Sequence, residues 1–308
     1  MPQELVVISG KGGTGKTSLV ASFAALADKA VVADCDVDAA DLHLVLQPTI
    51  LQRTEFSGGK RARIIRESCS GCAKCLTICR SHAITRDPDS ADSRRTTFRV
   101  DPIACEGCGV CAWFCPAKAI EFAPAKNGEW FISETRFGPM VHAKLGIAQE
   151  NSGKLVTIVR SQAKALAKEK QLELVLVDGS PGIGCPVIAS ITGADLVLIV
   201  TEPTVSGEHD LGRAAELAQH FGIPTMVCVN KWDLNPDVSA RIESRSREQG
   251  LRIAGRVRYD RAVVDAQVNR KTVVEHVSNG CAEDIRTVWR AVAQALRSLS
   301  EVPAPENV

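Results

Sequence analysis

The sequence lacks three features that would assign the chain to a membrane or to nucleic acid. Its 37 Lys and Arg residues are balanced by 36 Asp and Glu residues, so no excess charge is available to attract a polyanion. No apolar run approaches the roughly 20 residues that span a bilayer. The first residues show no basic region followed by an apolar one, which predicts no secretory leader. We therefore expect a cytoplasmic protein that binds no nucleic acid and does not insert stably into a membrane.

Short runs of Val, Leu and Ile alternate with helical patterns over most of the chain. Such runs are typical of strands buried on both faces of a parallel sheet, and the alternation predicts a doubly wound, mostly parallel α/β sheet. Ligands of such sheets bind at the carboxyl ends of the strands. The predicted strands include 4–9 and 30–36, the second ending in acidic residues. The segments 172–182, 194–203 and 224–233 each show an apolar run followed by a polar loop, and the strand of the last one is predicted at 225–229. The predicted helices are 17–29, 154–170, 208–221 and 282–299.

Two C-terminal features carry separate expectations. The helix predicted at 282–299 has one apolar face, which predicts packing on the sheet, with a membrane-surface helix as the alternative. The tail 301–308 is expected to be disordered.

Cysteine is distributed unevenly. Eight of the twelve cysteines lie between residues 69 and 115, and in a cytoplasmic protein this density indicates metal or redox chemistry rather than disulfides. The segment 58–125 also interrupts the strand–helix alternation. We therefore predict an α/β domain at 1–57 and 126–300 with a small α+β domain inserted at 58–125.

The segment Gly10–Thr17, GKGGTGKT, fits the phosphate-binding pattern G-x-x-x-x-G-K-[ST] between a predicted strand and a predicted helix. Backbone N–H groups of such a loop surround the phosphates, the lysine contacts the β- and γ-phosphates, and the Thr hydroxyl binds Mg²⁺. The candidate nucleotide-binding residues are Gly10, Gly12, Gly13, Thr14, Gly15, Lys16, Thr17 and Ser18, with Thr17 also a magnesium ligand.

The loop contains a second lysine, Lys11. In this respect it resembles the deviant Walker A loop of the MinD/ParA superfamily of P-loop ATPases, which includes the nitrogenase iron protein and the Mrp/Nbp-type carriers. The resemblance implies an ATP-dependent homodimer in which Lys11 reaches the partner's nucleotide, as an arginine finger does. Lys11 and Lys16 are accordingly candidate catalytic residues.

Acidic residues follow two of the predicted strands. The segment VADCDVDAADL resembles the D-x-D switch I of this superfamily, which implies that Asp36 orients the attacking water, with Asp34 or Asp38 as alternatives. Asp178 in LVLVDGSPG occupies the Walker B position and is predicted to hold Mg²⁺ with Thr17.

The motif NKWD at 230–233 bears on the choice of base. It resembles the guanine-binding N-K-x-D pattern of GTPases, whereas the superfamily resemblance favours adenine. We expect ATP, with Asn230 contacting the purine, and GTP remains the alternative.

The clustered cysteines follow C-x2-C-x2-C-x3-C twice, and Pro116 closes the second run, as in bacterial ferredoxins. The fourth cysteine of such a run ligates the other cluster, so we predict two [4Fe–4S] clusters, with zinc as the alternative. Arg80 replaces the proline of the first run without removing a ligand. The predicted ligand sets are Cys69, Cys72, Cys75 and Cys115 for one cluster and Cys105, Cys108, Cys111 and Cys79 for the other.

These features together resemble MinD-superfamily P-loop ATPases with an inserted bacterial-type 2[4Fe–4S] ferredoxin domain. We expect a protein that uses ATP and Mg²⁺ to control electron transfer to an unidentified redox partner. The alternatives are iron–sulfur cluster assembly and a redox-sensing positioning ATPase.

Four residues outside the motifs complete the expectations. Cys185 follows the Walker B loop, where the nitrogenase iron protein has a cluster-ligating cysteine; a buried thiol is the favoured interpretation. His43, His142 and His209 are expected in surface or capping positions.

Overall fold

The structure is a computed structural model that describes residues 2–90, 96–146 and 153–300. These residues form two compact units. The larger unit contains residues up to Thr54, the segment Trp130–Lys144 and the described residues from 153 onward. The smaller unit contains Glu55–Glu129 with Leu145 and Gly146, and the insert predicted at 58–125 falls within it. The tail 301–308 lies outside the described residues.

Thirteen strands are present in the described ranges. In chain order they are β1 Gln3–Ser9, β2 Ala30–Asp34, β3 Thr49–Phe56, β4 Gly59–Ile64, β5 Ile84–Arg86, β6 Phe98–Val100, β7 Ile120–Ala125, β8 Gly128–Thr135, β9 Gly138–Leu145, β10 Leu174–Pro181, β11 Leu196–Thr201, β12 Thr225–Asn230 and β13 Arg252–Val257.

The same ranges contain eleven α-helices. They are α1 Lys16–Leu26, α2 Leu42–Leu46, α3 Lys74–Ile78, α4 Val110–Trp113, α5 Lys154–Glu169, α6 Cys185–Ile191, α7 Val205–His220, α8 Pro236–Glu248, α9 Ala262–Val268, α10 Val273–His276 and α11 Cys281–Ser300.

One nine-stranded sheet has the order β13-β12-β11-β1-β10-β2-β9-β8-β3. The seven strands from β13 to β9 are parallel to one another, which confirms the mostly parallel α/β sheet. Strands β8 and β9 form a hairpin joined by Arg136 and Phe137. Strand β1 lies inside the sheet, and its Leu5–Ile8 segment has no exposed surface. The loop that follows β1 therefore emerges at the carboxyl edge, where ligands of such sheets bind.

Helix α11 packs its apolar face into the main hydrophobic core. Ile285, Val288 and Val292 are at most 2% exposed and belong to the cluster that also contains Phe23 of α1. This confirms the predicted packing role. Within the described ranges, no helix combines the length and the apolar character that crossing a membrane requires.

The smaller unit has an internal pseudo-two-fold symmetry with an offset of 36 residues, as between Cys69 and Cys105. Antiparallel pair β4–β7 aligns Ile64 with Ile120, and pair β5–β6 aligns Ile84 with Val100, which are equivalent pairs under that offset. Three residues of the first repeat have positive φ, and so do their three equivalents in the second. These pairs are Gly71 and Gly107, Ala73 and Gly109, and His82 and Lys118.

The two repeats also exchange equivalent hydrogen bonds. Ile65 N donates to Ala119 O at 2.8 Å, and Asp101 N, at the equivalent position, donates to Ala83 O at 2.7 Å. Each repeat therefore places the start of its own cysteine run beside the end of the other repeat's run. The sequence repeat is thus also a repeat of backbone structure.

Candidate functional site

The phosphate-binding loop lies between β1 and α1, as the sequence predicted. Gly13 and Gly15 have φ of +80° and +87°, a left-handed conformation that favours glycine. Gly15 precedes the first residue of α1, so the amide groups of the loop and of the helix N-terminus lie at one edge of the sheet. Gly10 has a packing role, since a Cβ atom there would lie 2.3 Å from Asp210 Cβ of α7.

Lys16 is the centre of a buried charge cluster. Its Nζ lies 2.5 Å from Asp178 Oδ1 and 3.2 Å from Asp36 Oδ2, and its side chain is 5% exposed. Thr17 Oγ1 donates a hydrogen bond to Asp178 Oδ2 at 2.8 Å. The structure therefore brings together four predicted site residues from three different segments. Burial alone would lower the pKa of Lys16, but the carboxylates of Asp178 and Asp36 outweigh it and raise the pKa.

Asp34 adds a third carboxylate to this cluster. Its Oδ1 accepts a hydrogen bond from Asp36 N at 3.2 Å, while its buried Oδ2 has no partner in the described structure. Burial, reinforced by the charge of Asp178, raises the pKa of Asp34 well above its ordinary value. Burial also raises the pKa of Asp36, against the opposing effect of Lys16. Three acidic side chains lie around a single lysine here. Their excess of negative charge would favour the binding of a further cation.

The donor chemistry of this cluster fits Mg²⁺. A hydroxyl and carboxylate oxygens are hard ligands, and protein-bound Mg²⁺ takes only one or two protein ligands and completes its shell with phosphates and water. In the part of the chain that the structure describes, no group of three or more His, Cys, Asp or Glu side chains is arranged to hold a metal ion by itself. Thr17 and Asp178 are therefore suited to share Mg²⁺ with a nucleotide.

Lys11 lies in a different environment from Lys16. Its Nζ is 2.7 Å from Glu202 Oε1 and within 3.4 Å of the Thr204 and Ser206 hydroxyls. The sequence analysis did not identify Glu202. This residue directly follows β11, so it lies at the same carboxyl edge of the sheet as the other carboxylates of the site. Burial would raise the pKa of Glu202, but hydrogen bonds from Lys11 and Lys231 lower it.

Asn230 and the phosphate-binding loop are joined directly. Asn230 Nδ2 donates to Thr14 O at 2.7 Å, and its Oδ1 accepts from Lys231 N at 3.0 Å. Both ends of the Asn230 amide are thus engaged by the protein, which indicates that Asn230 holds the loop.

A cavity of about 230 Å³ borders Asn230, and the sequence analysis did not identify one of the walls of this cavity. That wall includes Tyr259, Asp260, Val263, Val264 and Gln267.

The last residue of the NKWD motif is not part of this cavity wall. Asp233 Oδ1 accepts a hydrogen bond from Tyr259 N at 2.6 Å, so it fixes the neighbouring loop.

The smaller unit contains the eight clustered cysteines. A small cavity is lined by Cys69, Cys72, Cys75 and Cys115, the four residues that the sequence assigns to one cluster. Cys115 Sγ accepts a hydrogen bond from Ala119 N at 3.3 Å, a contact of the kind that tunes metal-bound sulfur. The second set shares the same core, because Cys79 and Cys111 pack with Cys75 around Ile84 and Phe98. Each thiolate of a cubane binds a different iron, so the four sulfurs need not converge on one point.

The remaining cysteines and one histidine differ in their environments. Burial raises the pKa of Cys228 to about 12, and Cys35 is fully buried, so both are core residues. Cys185 is exposed at the start of α6, so the expectation of a buried thiol was wrong. His142 was expected at the surface, but it lies in β9 at 8% exposure, with its Nε2 2.9 Å from Ser133 Oγ.

A glycine-rich loop between a central strand and a helix, with Lys16, Thr17 and Asp178 in contact, defines a P-loop nucleotide-binding protein. The family model described as CbiA, the CobQ/CobB/MinD/ParA nucleotide binding domain, matches residues 5–273. The chain belongs to this family.

Two uncharacterized proteins of Methanocaldococcus jannaschii resemble the chain over most of their length. MJ0578 is 34% identical over 236 residues, which cover 75% of this chain and 79% of that protein. MJ0579 is 27% identical over 262 residues, which cover 75% of this chain and 81% of that protein.

Solved structures confirm the fold. MinD of Pyrococcus horikoshii, solved with Mg-ADP, has 14% identity and a TM-score of 0.56, covering 98% of this chain and 100% of that one. MinD of Aquifex aeolicus has 17% identity and a TM-score of 0.53, covering 99% of this chain and 100% of that one. At these identities the likeness concerns the fold alone.

Proposed function

We propose that the chain is an ATP-hydrolysing iron–sulfur protein that couples its nucleotide state to electron transfer through two [4Fe–4S] clusters. One observation carries the proposal: a single chain contains both a P-loop with an adjoining carboxylate cluster and eight cysteines arranged in two equivalent halves. MinD/ParA-type family members are P-loop ATPases, which supports the hydrolytic half. The ATPase domain comprises 1–57 and 126–300, and 58–125 is an inserted ferredoxin domain.

The hydrolytic half assigns a role to each residue of the buried cluster. Lys16 would exchange its contacts with Asp178 and Asp36 for the β- and γ-phosphates of ATP. Thr17 and Asp178 would hold Mg²⁺, which would supply positive charge beside the phosphates. Asp36 is then free to orient the attacking water. Backbone N–H groups from Gly12 to Ser18 hold the phosphates, and Asn230 supports the loop beside the base cavity.

The two-fold arrangement of the smaller unit supports crosswise ligation of the clusters. The hydrogen bond from Ile65 N to Ala119 O ties the start of the first cysteine run to the end of the second. This contact explains why Cys115 lines the same cavity as Cys69, Cys72 and Cys75. The equivalent bond at Asp101 supports the set Cys105, Cys108, Cys111 and Cys79. Soft thiolates in fours suit iron–sulfur clusters, which accept and release single electrons when bound.

Nucleotide control of the redox half would act through a homodimer. Lys11 is paired within its own chain with Glu202, and this pair must break before the ammonium can reach a partner's nucleotide. ATP would favour the dimer in which Lys11 acts in trans, and hydrolysis would restore the separate chains. We further propose a cytoplasmic location and an unidentified protein as electron partner.

A redox titration tests the coupling directly. Anaerobically purified full-length chain is titrated in the presence of Mg-ADP and of Mg-ATP, with the Asp36→Ala variant used to preserve ATP. We expect the cluster midpoint potentials to differ between the two nucleotides. The Lys16→Ala variant, which loses the phosphate contact, is the matched control and should show no difference. Equal potentials with ADP and ATP in iron-replete Asp36→Ala protein would exclude the coupling.

A further inference from the structure

The first repeat of the smaller unit exposes several cationic side chains in a segment that itself contains no acidic residue and lies between Glu67 and Asp87. The segment 68–86 contains no Asp or Glu, whereas Lys74, Arg80 and Arg86 are all exposed. We call these three side chains the basic face. It begins at the first residue of α3 and ends at the last residue of β5.

The described part of the chain supplies no carboxylate partner to the basic face. Among the described residues, Lys74, Arg80 and Arg86 form no ion pair with a carboxylate. Acidic side chains of the same unit are largely engaged elsewhere, in the pairs of Lys126 with Glu55 and Glu129, Arg63 with Glu121, and Arg66 with Asp87 and Asp89. The described ion pairs therefore leave these three cations without a carboxylate partner, even though the whole chain is almost neutral.

The second repeat shows whether the backbone of the first repeat needs these cations in order to fold. It has the same helix, turn and strand at the 36-residue offset, but uncharged side chains stand at the three equivalent positions. The equivalent pairs are Lys74 and Val110, Arg80 and Pro116, and Arg86 and Phe122. Since the same backbone forms with either set, folding does not account for the cations.

The basic face borders the cysteine sites. Lys74 lines the small cavity together with Cys69, Cys72, Cys75 and Cys115. Arg80 directly follows Cys79, the cysteine assigned to the other cluster. A partner held at this face would therefore lie beside the groups that, under the proposed function, exchange electrons.

We propose that the basic face docks a carboxylate-rich surface of the protein that exchanges electrons with this chain. The inference rests on the proposed function for the nature of the partner. Surface charge of one sign accelerates association with a partner of opposite sign and disfavours association with partners of the same sign. Nucleic acid is a poorer match, because 68–86 contains no Phe, Trp or Tyr on which bases could stack.

Binding of a labelled acidic polypeptide tests the docking face without requiring electron transfer. Iron-replete, full-length chain is titrated anaerobically into fluorescein-labelled poly-L-glutamate while fluorescence anisotropy is recorded. We expect binding to weaken at least about tenfold when ionic strength rises from about 0.01 to about 0.15 M, as the Debye length shortens from about 30 to about 8 Å. The Lys74→Gln/Arg80→Gln variant should bind about tenfold more weakly than the unaltered chain at low salt.

The matched control makes the same charge change in the larger unit. Arg252→Gln/Lys271→Gln also lowers the net charge by two, and both side chains are exposed. It should weaken poly-L-glutamate binding by less than about threefold, because the basic face is intact. Equal weakening in the two variants, or no dependence on salt, would overturn the proposal.

Three further outcomes have separate meanings. Tighter binding of single-stranded oligothymidylate than of poly-L-glutamate, lost in Lys74→Gln/Arg80→Gln, would assign the face to nucleic acid and overturn the proposal. Chain that contains its full iron but does not bind poly-L-glutamate refutes the docking face alone. A chain that binds no iron refutes the proposed function on which the docking face depends.

Discussion

Alanine substitutions at three glycines of the phosphate-binding loop should lower the free energy of unfolding by amounts that increase from Gly12 to Gly13 to Gly15. Gly12 has an ordinary φ and open space where the Cβ of an alanine would lie, Gly13 has a φ of +80° with open space, and Gly15 combines a φ of +87° with an obstruction. That obstruction is Asn230 Nδ2, which would lie 2.3 Å from the new Cβ. The three sites therefore separate backbone strain from steric overlap within a single loop.

The expected magnitudes follow from these differences. Gly12→Ala should change the free energy of unfolding by less than about 0.5 kcal/mol. Gly13→Ala should cost about 1–2 kcal/mol, which is the penalty for an L-residue in the left-handed region. Gly15→Ala bears the same penalty and also displaces the Asn230 amide from the buried Thr14 carbonyl, which adds about 1–3 kcal/mol. Its total cost should be about 2–5 kcal/mol.

Urea denaturation of the nucleotide-free chain, followed by far-ultraviolet circular dichroism, measures these costs in the larger unit, which contains most of the helices. The double variant Gly15→Ala/Asn230→Ala removes the obstruction, so its cost should fall below the sum of the two single costs by about 1 kcal/mol. Equal destabilisation at all three glycines, or a Gly15→Ala variant as stable as Gly12→Ala, would refute this account of the loop.

Substitutions at Lys11, Cys115 and His142 test three other parts of the chain. Lys11→Ala should reduce ATP turnover at least about 100-fold while nucleotide affinity changes less than about threefold, because the lysine acts in trans; unchanged turnover would exclude that role. Cys115→Ser should lower the iron content of anaerobically purified chain by about half and Cys185→Ser should not, and retention of all the iron by Cys115→Ser would contradict the ligand assignment. Burial lowers the pKa of His142 from 6.5 to about 4, so the unfolded chain binds one more proton than the folded chain between these values. Stability should therefore fall by up to about 3 kcal/mol as pH drops through this window, and the fall should be smaller by that amount in His142→Gln; an unchanged pH dependence of unfolding would contradict it.

The phosphate site was predictable because its signals are local or follow from one rule about parallel sheets. The strand–loop–helix context of Lys16 lies within a few residues of sequence. The position of Asp178 beside Lys16 was predictable because the carboxyl ends of parallel strands meet at one edge of the sheet. The same rule applies to Glu202, which directly follows β11, but no motif drew attention to it.

Other features depend on packing between distant segments and could not be read from the sequence. The wall that Tyr259–Gln267 contribute to the cavity beside Asn230 is placed there through the packing of α9, which no periodicity encodes. The burial of His142 depends on the β8–β9 hairpin, which extends the sheet after the insert. Within the insert, the repeat was visible in sequence, but the hydrogen bond from Ile65 to Ala119 that joins its halves was not.

The central claim is that one chain holds both a nucleotide site and two cubane clusters. The most direct test is to measure iron, acid-labile sulfide and bound nucleotide in the same anaerobically purified sample with Mg-ATP present. The account predicts about eight iron and eight sulfide atoms with one nucleotide per chain. Zinc in place of iron, iron without sulfide, or clusters in a chain that binds no nucleotide would contradict it.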